Sequence, residues 1–338
     1  MITQTLPLTF FQRPLRMTPH YTSRPWGGHA LRNLLAKSVP EDKGPIGESW
    51  ELSDHPDGRS KVEGHLFGDL LRTYPQQMLN RDHAPEKYPI LVKYIDAEGD
   101  LSVQVHPDDA WCRRKGHNDR GKTECWYIMD CKPGTKVVYG YKRGVTEADV
   151  RQAIAEGRLK ELLRYQRINP GDFVSVPAGC VHAMLAGTLV CEIQQSSNTT
   201  FRLYDWDRQP PRELHIEQSM EVSELDSNKL PMIKALGAIQ ARGVDGPERM
   251  QPLLDNDFFT VQLYEVSPRC TVAKADFQNR NGLILNVVAG SGTMSGRHYQ
   301  HDVRAGDTYF LPAALTVPPA VIAGEHGLRI LVTESKEV

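Results

Sequence analysis

Residues 101–106 alternate between apolar and polar side chains, a pattern typical of a β-strand that separates a core from a polar cavity. The apolar positions fall on one face: Leu101, Val103 and Val105. The polar positions fall on the other face: Ser102, Gln104 and His106. The pattern therefore predicts a strand that carries a hydroxyl, an amide and an imidazole into a wet cavity.

Two neighbouring segments carry polar groups in a similar way. The apolar run at residues 88–95 is interrupted by Lys93, and a later alternation places Lys122, Glu124 and Trp126 on one face. Short strands of this kind would bring an imidazole, a carboxylate, an amide and two ammonium groups together. Such a convergence is typical of a metal or anion site.

The rest of the chain is also mostly strand-like. Apolar runs bounded by turn residues predict strands at 171–177, 188–196, 200–206, 259–266, 283–288, 308–311 and 328–333. Helical spacing is clearest at residues 146–165, where Thr146 supplies an N-cap and Gly157 divides the segment into two short helices. Shorter helical segments are expected at 31–35, 66–71 and 74–79. The polar stretch 212–246 is expected to be a connector.

The two halves of the chain share one turn and strand pattern. Residues 170–178 and 305–313 each contain a Gly-Asp turn, a short apolar strand and a closing Pro-Ala. The first copy continues to His182, whereas the second has no histidine at the matching place. The pattern therefore predicts two copies of one fold unit, of which only the first has the histidine that could bind a metal.

Composition limits the class of protein. The chain has 338 residues, 40% hydrophobic and 24% charged, with a formal net charge of −2. That balance is usual for a globular protein. It gives no broad positive electrostatic field that would attract nucleic acid or an anionic membrane surface. No apolar run approaches the length of about 18 residues needed to cross a bilayer, and the N-terminus lacks a signal-peptide pattern, so a cytoplasmic location is expected.

The cysteine spacing favours reduced, buried thiols over disulfides or a thiolate metal site, because no Cys-x-x-Cys pair is present. The six are Cys112, Cys125, Cys131, Cys180, Cys191 and Cys270.

The segment from Gly171 to His182 resembles the second sequence motif of the cupins in every fixed position, namely Gly171, Pro177, Gly179 and His182. The resemblance implies a mainly β fold of tandem, jelly-roll-like cupin barrels with a short helical insert at about 146–165. It also implies a metal-binding cupin domain at 1–211, a connector at 212–246 and a degenerate cupin at 247–338.

Neutral imidazoles and a carboxylate suit Zn²⁺ or a neighbouring divalent ion, and the amide of Gln104 adds a weaker oxygen ligand. An incomplete protein shell would leave a coordination position for water or substrate, as catalytic sites require. Asp108 and Asp109 follow His106 after Pro107. They are expected to be turn residues or partners of the ligands rather than ligands themselves.

Three further residues lie beyond the motif histidine. Alternation places Glu192 beside the presumed metal strands. Arg202 and Arg208 follow on the next strand and its turn. Either arginine could be a surface ion-pair residue or could enter the cavity, and the pattern leaves both alternatives open.

The chain resembles class I mannose-6-phosphate isomerases (phosphomannose isomerases) of the short bacterial type. The resemblance is carried by segments in the family's order at 24–28, 47–51, 89–107, 122–127, 177–182 and 195–208. Two positions depart from it. Gly121 stands where longer members have a histidine, and Asn198 stands where shorter members often have an aspartate.

The resemblance implies one Zn²⁺ per chain in the first barrel. Its ligands would be Gln104, His106, Glu124 and His182. The family's essential arginine falls on Arg202, its substrate-contacting serine and lysine fall on Ser102 and Lys122, and a further basic residue falls on Arg208.

The resemblance also implies a reaction, the interconversion of mannose 6-phosphate and fructose 6-phosphate through an enediol(ate). Glu192 is the favoured general base, with Lys122 assisting and Lys93 as another candidate. Ser102, Lys122 and Arg208 are candidates for the phosphate. A metal-dependent cupin oxygenase and a non-catalytic sugar-phosphate-binding cupin are the alternatives. The oligomeric state is left open, and a monomer is compatible with the sequence.

Overall fold

Two sheets enclose the polar face predicted at residues 101–106. The computed structural model describes residues 5–237, 239, 248–275, 277 and 279–337. The strands of that part of the chain are β1 (Leu15–Arg16), β2 (His20–Gly28), β3 (Ile46–Leu52), β4 (Lys61–Val62), β5 (His65–Leu66), β6 (Ile90–Ala97), β7 (Val103–Val105), β8 (Glu124–Cys131), β9 (Lys136–Tyr141), β10 (Leu163–Arg167), β11 (Asp172–Val176), β12 (His182–Met184), β13 (Thr188–Gln195), β14 (Phe201–Tyr204), β15 (Lys234–Ala235), β16 (Glu248–Asp255), β17 (Phe259–Val266), β18 (Thr271–Val272), β19 (Leu283–Gly296), β20 (Tyr299–Arg304), β21 (Thr308–Leu311) and β22 (Ala320–Ser335). The α-helices are α1 (Ala30–Asn33), α2 (Phe67–Thr73), α3 (Pro75–Leu79), α4 (Asp109–Lys115), α5 (Glu147–Ala155) and α6 (Ile216–Val222). Single 3-10 turns lie at Leu8–Phe11, Glu41–Lys43, Leu159–Glu161 and Ser227–Lys229.

The first body is a sandwich of a seven-stranded and a five-stranded sheet. The larger sheet has the order β15-β11-β8-β13-β6-β2-β3, and the smaller has the order β10-β9-β12-β7-β14. The small sheet is covered on its outer face by helices, because Val103 and Val105 of β7 pack in one cluster with Trp111 of α4 and Met220 of α6. Its inner face is therefore left for the cavity between the two sheets.

The larger sheet is buried on both faces, as strand β13 shows. Leu189, Cys191 and Ile193 pack in the core shared with the second body. Glu192, one position out of phase, points to the opposite face, toward the interior of the sandwich. The larger sheet thus presents polar groups inward and is covered from outside by the second body.

The second body is built on an eight-stranded sheet in which β21, β19, β22 and β17 are central neighbours. Its interior is apolar, formed by residues such as Leu285, Tyr309 and Ile330. In the described residues the one group of three or more side chains that could hold a metal ion lies in the first body, as expected from the missing second histidine.

Aromatic side chains join the two bodies. Phe67 contacts Tyr88 and Phe310 edge-on, with ring centroids 5.3 and 5.2 Å apart. Tyr94 donates a hydrogen bond of 3.3 Å to the carbonyl of Asp307. Because strands of both bodies contribute to this core, the second body stabilises the outer face of the sheet that carries Glu124 and Glu192.

Segments cross the predicted boundaries between 1–211, 212–246 and 247–338 at two places. Leu15–Arg16 pairs with β21 of the second body. Within the connector, α6 packs on β14 and β15 pairs with β11 of the first body. Residues 238 and 240–246 of the predicted connector, and residue 247 at the predicted start of the second domain, lie outside the described residues.

The helical insert differs from the prediction at its end. Thr146 and Asp149 form a reciprocal capping box at the start of α5. Residues 163–165 belong to β10 instead of a second helix, because this segment pairs with β9. The second helix is therefore reduced to the turn at Leu159–Glu161.

Leu101 also departs from the predicted alternation. It packs in the cluster between the two sheets, whereas Val103 and Val105 pack under the helices. Strand β7 begins only at Val103, so the two-residue period does not extend back to Leu101. The polar face at Ser102, Gln104 and His106 is unaffected.

Two other predictions can be compared with the structure. Four of the six cysteines are buried and none of the six is in a disulfide. Within the described residues, no helix has the length and apolar character required to cross a bilayer.

Truncating Phe310→Ala is expected to lower the free energy of unfolding by about 3–5 kcal/mol, because it opens a cavity in the core shared by the two bodies. Urea denaturation followed by circular dichroism measures the change. Leu34→Ala, at a side chain 58% exposed, is the control and should change stability by no more than about 0.5 kcal/mol. Equal effects of the two variants would contradict the shared core.

Candidate metal centre and substrate cavity

Three side chains from separate strands meet between the two sheets. His106 follows β7, Glu124 begins β8 and His182 begins β12. One ligand atom from each lies within 4.8 Å of the others. The nearest carboxylate oxygens of Glu124 lie 3.6 Å from His106 Nε2 and 3.4 Å from His182 Nε2. All three residues are buried.

The backbone holds both imidazoles in one orientation. His106 Nδ1 donates to the carbonyl of Thr199 at 2.8 Å, and His182 Nδ1 donates to the carbonyl of Cys180 at 2.9 Å. Each ring therefore presents the lone pair of Nε2 to Glu124. Trp126 Nε1 donates to Glu124 Oε1 at 2.9 Å and orients the carboxylate. Such outer contacts are the usual support of metal ligands.

Gln104 lies beside His182. The two residues are register partners on β7 and β12, and the amide nitrogen of Gln104 is 3.2 Å from His182 Nε2. A half-turn of the amide exchanges its nitrogen and oxygen, so the carbonyl oxygen can face the same point.

This donor set fits a zinc ion. Burial lowers the pKa of His182 to about 4 and lowers the pKa of His106 well below its ordinary value, with the Lys122 ammonium as a further cause in both cases. Both imidazoles are therefore neutral at pH 7, as metal ligation requires. Two imidazole nitrogens and a carboxylate, with an amide oxygen in reach, match the ligand types that zinc prefers.

A cavity of about 300 Å³ adjoins the centre. Most of the predicted site residues line it: Lys93, Ser102, Gln104, Lys122, Glu192 and Arg202. Other residues that line it had no role predicted from the sequence: Arg24, Trp26, Glu48, Asn198 and Arg212, among others. The metal cluster and the cavity together make one site.

Lys122 and Glu192 lie next to the metal ligands. Lys122 Nζ contacts Glu124 directly and lies 3.1 Å from His106 Nε2 and 3.9 Å from Glu192 Oε1. Burial opposes the charged ammonium, but the carboxylates of Glu124 and Glu192 outweigh it and raise the pKa of Lys122. Burial, reinforced by the charge of Glu124, raises the pKa of Glu192.

The two arginines predicted for the site differ in their position relative to the cavity. Arg202 lines the cavity, and its Nη1 donates to the carbonyl of Glu213 at 2.7 Å. Arg208 is not among the described residues that line the cavity, and its guanidinium donates to the carbonyl of Asp100 at 2.5 Å. The phosphate contact predicted for Arg208 therefore has no support from its position.

A buried ion-pair network forms another wall of the cavity. Glu48 accepts from Arg24 Nε at 2.8 Å and from Trp50 Nε1 at 2.7 Å, and it lies 3.6 Å from Lys93 Nζ. Lys93 also lies over the Trp50 ring, 4.5 Å from its centroid. Arg24, Glu48 and Trp50 belong to segments that carried the family resemblance, and this was the one sequence signal for them.

The two aspartates after His106 are not part of the metal cluster found among the described residues. Asp108 caps α4 by accepting from the backbone amide of Trp111 at 2.6 Å. Asp109 accepts from the amide of Gly121 at 2.7 Å and from Gln195 at 3.1 Å. They hold the segment that leads to Lys122, which agrees with the turn or partner role expected for them.

Comparison with known proteins gives consistent results. Residues 15–122 match the family described as phosphomannose isomerase type I, catalytic domain. A probable mannose-6-phosphate isomerase of Bacillus subtilis (strain 168), GmuF, is 38% identical over 316 residues, covering 89% of this chain and 93% of the relative. The mannose-6-phosphate isomerase ManA of the same organism is 33% identical over 312 residues, covering 89% and 94%.

Solved structures extend the likeness to the fold. The crystal structure of the mannose 6-phosphate isomerase from Bacillus subtilis superposes with a TM-score of 0.80 at 30% identity, covering 96% of this chain and 100% of that one. A mannose 6-phosphate isomerase described as bound with zinc and yttrium shares the fold, with a TM-score of 0.68 at 16% identity, covering 96% and 99%. The prediction of a mainly β fold of the cupin type is confirmed.

The His106→Ala substitution is expected to weaken zinc binding by more than about 100-fold, since losing even an outer partner of a metal ligand costs about 10- to 100-fold. Competition with a chromophoric chelator measures the affinity. His326→Ala, at an exposed histidine of the second body, is the matched control and should bind zinc like the unaltered protein. Equal affinities of the two variants would contradict this centre.

A second prediction concerns Glu48. Burial opposes its ionisation, but the charges of Lys93 and Arg24 outweigh burial and lower its pKa from 4.5 to about 2. A lowered pKa adds stability above pH 4.5 that is lost as the pH falls toward 2. Glu48→Gln should therefore cost about 3 kcal/mol at pH 7, and the difference should narrow below pH 4.5.

Urea denaturation at a series of pH values measures this difference. Glu98→Gln is the control, because Glu98 is 63% exposed and its contact with Lys132 lies on the surface. A Glu48→Gln penalty that stayed constant from pH 7 to pH 3 would show that the ionised carboxylate does not supply the stability.

Proposed function

This chain belongs to the mannose-6-phosphate isomerase family, whose members are aldose–ketose isomerases, and on that basis we propose that it is zinc-dependent and works through an enediol(ate). We further propose that one zinc ion per chain is held by His106, Glu124 and His182, with Gln104 in reach. The observation that carries the proposal is the convergence of these ligand atoms at the edge of a cavity that also holds Lys122, Glu192 and Arg202.

The substrate follows from the family and from the charges of the cavity. Its relatives are named mannose-6-phosphate isomerases. Among the described residues that line the cavity, five side chains are cationic and two are acidic. An excess of positive charge suits a phosphorylated sugar, although the chain as a whole is slightly negative.

The reaction moves a proton between C1 and C2 and leaves negative charge on the oxygens of the intermediate. A bound zinc ion would act as a Lewis acid toward those oxygens. Arg202 and Lys122 are fixed cations on the cavity wall and would stabilise the same developing charge. Ser102 would orient the sugar by hydrogen bonding from the strand that leads to Gln104.

Glu192 is the group best placed to transfer the proton. Glu192 lines the cavity, and it lies on the same sheet as Glu124 and 3.9 Å from Lys122 Nζ. Lys122 contacts Glu124 directly, which favours an electrostatic role for it over that of a base. Lys93 is engaged with Glu48 and the Trp50 ring and is better suited to holding the cavity wall.

The two alternatives are less well supported. A cupin oxygenase and a non-catalytic binding protein would both fit a metal in a cupin barrel, but the matched relatives are named as isomerases. Oxygen uptake by the iron-loaded protein would favour the first alternative. Binding of the sugar phosphate without exchange of its C2 proton would favour the second.

A coupled assay from mannose 6-phosphate to fructose 6-phosphate tests the proposed function. Removal of metal with EDTA should lower the rate by at least about 100-fold, because a Lewis acid supplies several kcal/mol of transition-state stabilisation, and zinc should restore the rate. Turnover in deuterated water should place deuterium at the carbon that receives the proton. No turnover by the zinc-loaded protein would refute the proposal, and turnover without any exchange would refute the enediol(ate) route.

A further inference from the structure

Three arginines surround one aspartate beside the substrate cavity. Asp205 follows β14 and is buried. Arg212 approaches it closely, Arg208 approaches it more loosely, and Arg202 lies on the strand just before it. Arg202 and Arg212 both line the cavity. The sequence indicated Arg202 and Arg208 and gave no signal for Arg212.

Arg208 is directed to the protein backbone. It donates to the carbonyl of Asp100 at 2.5 Å, and its Nε lies 3.4 Å from Asp205 Oδ1. These contacts tie the segment after β14 to the loop before β7. A guanidinium used in this way acts as a tether.

Arg212 is held from one side only. Its Nε donates to Asp205 Oδ2 at 2.7 Å and its Nη2 donates to Asp205 Oδ1 at 2.5 Å. This paired geometry fixes the plane of the guanidinium. A guanidinium has five N–H groups, so the edge away from Asp205 remains able to donate to a second anion.

Arg202 has a donor without a partner. Its Nε is buried and has no hydrogen-bond partner among the described residues, although its Nη1 donates to the carbonyl of Glu213 at 2.7 Å. Because that atom has almost no accessible surface, a ligand in the cavity does not reach it, and Arg202 contributes its charge to the cavity rather than this donor. After burial, the charge of Arg212 is the largest influence that lowers the pKa of Arg202, and both arginines line the cavity.

We propose that Arg212, fixed by Asp205, binds the phosphate group of the substrate, and that Arg208 is a structural tether. Asp205 is a positioning residue in this arrangement, because it acts on the phosphate through Arg212. The identity of the anion as a sugar phosphate rests on the proposed function. The presence of an anion-binding arginine does not rest on it.

Arg212→Gln should raise KM for mannose 6-phosphate about 10- to 100-fold, the loss expected for a hydrogen bond to a charged group, while kcat changes by less than about threefold. The binding of inorganic phosphate, measured by its competitive inhibition, should weaken by a similar factor. Arg212→Lys retains the charge but loses the forked pair of N–H donors. Its KM should therefore lie between the KM of the unaltered protein and that of Arg212→Gln. Asp205→Asn should raise KM in the same direction with little change in kcat.

Substitutions of two other arginines serve as comparisons for Arg212→Gln. Arg208→Gln tests the competing assignment and should raise KM less than Arg212→Gln does. Arg269→Gln is the matched control, because Arg269 is an exposed arginine of the second body paired with Glu325. Thermal unfolding identifies any variant that fails to fold, and Arg212→Lys then carries the comparison.

The outcomes separate this inference from the proposed function. If the unaltered protein does not isomerise mannose 6-phosphate, the proposed function fails, and calorimetric titration of inorganic phosphate into the same variants still tests the anion site. If turnover is normal but Arg208→Gln weakens the binding of phosphate more than Arg212→Gln does, the inference is overturned. A fall in kcat with KM unchanged in Arg212→Gln would overturn it as well.

Discussion

The buried carboxylate of Glu124 is the constraint on which the site depends. A carboxylate with no exposure to solvent is tolerated in a protein interior only when cations or hydrogen bonds compensate for its lost hydration. Here Trp126 and Lys122 supply part of that compensation, and the two imidazole lone pairs leave room for a divalent cation to supply the rest. The surrounding strands and the cavity chemistry follow from the need to keep this group both buried and paired.

The second body is part of that arrangement. Strands β6, β8 and β13 carry polar or charged groups toward the site and apolar groups away from it. Those apolar groups need a partner surface, and the second sheet provides it through residues such as Phe259 and Phe310. In the part of the second body that the structure describes there is no metal cluster, and this body covers the outer face of the sheet that positions Glu124 and Glu192.

Local pattern predicted a large share of the fold and the centre of the site. The alternation at residues 102–106 and the spacing from Gly171 to His182 are local signals, and they identified His106 and His182, which lie in one cluster with Glu124. The helix at α6 was missed because its polar sequence resembles a connector, and its packing on β14 is a tertiary contact. The role of Leu101 was missed because a strand's alternation does not reveal the residue at which the strand begins.

The cavity wall was harder to predict than the metal ligands. Arg208 and Arg212 look equivalent in the sequence, and the fold of the segment around Asp205 decides which of them faces the cavity. Glu48 shows the same limit, since its partners Arg24 and Lys93 come from different strands.

We propose that His106, Glu124 and His182 bind one zinc ion. X-ray absorption spectroscopy of the zinc-loaded full chain tests it directly. We expect nitrogen and oxygen neighbours at about 2.0–2.2 Å, with outer-shell scattering from two imidazoles. Sulfur neighbours near about 2.3 Å, or the absence of imidazole scattering, would contradict it.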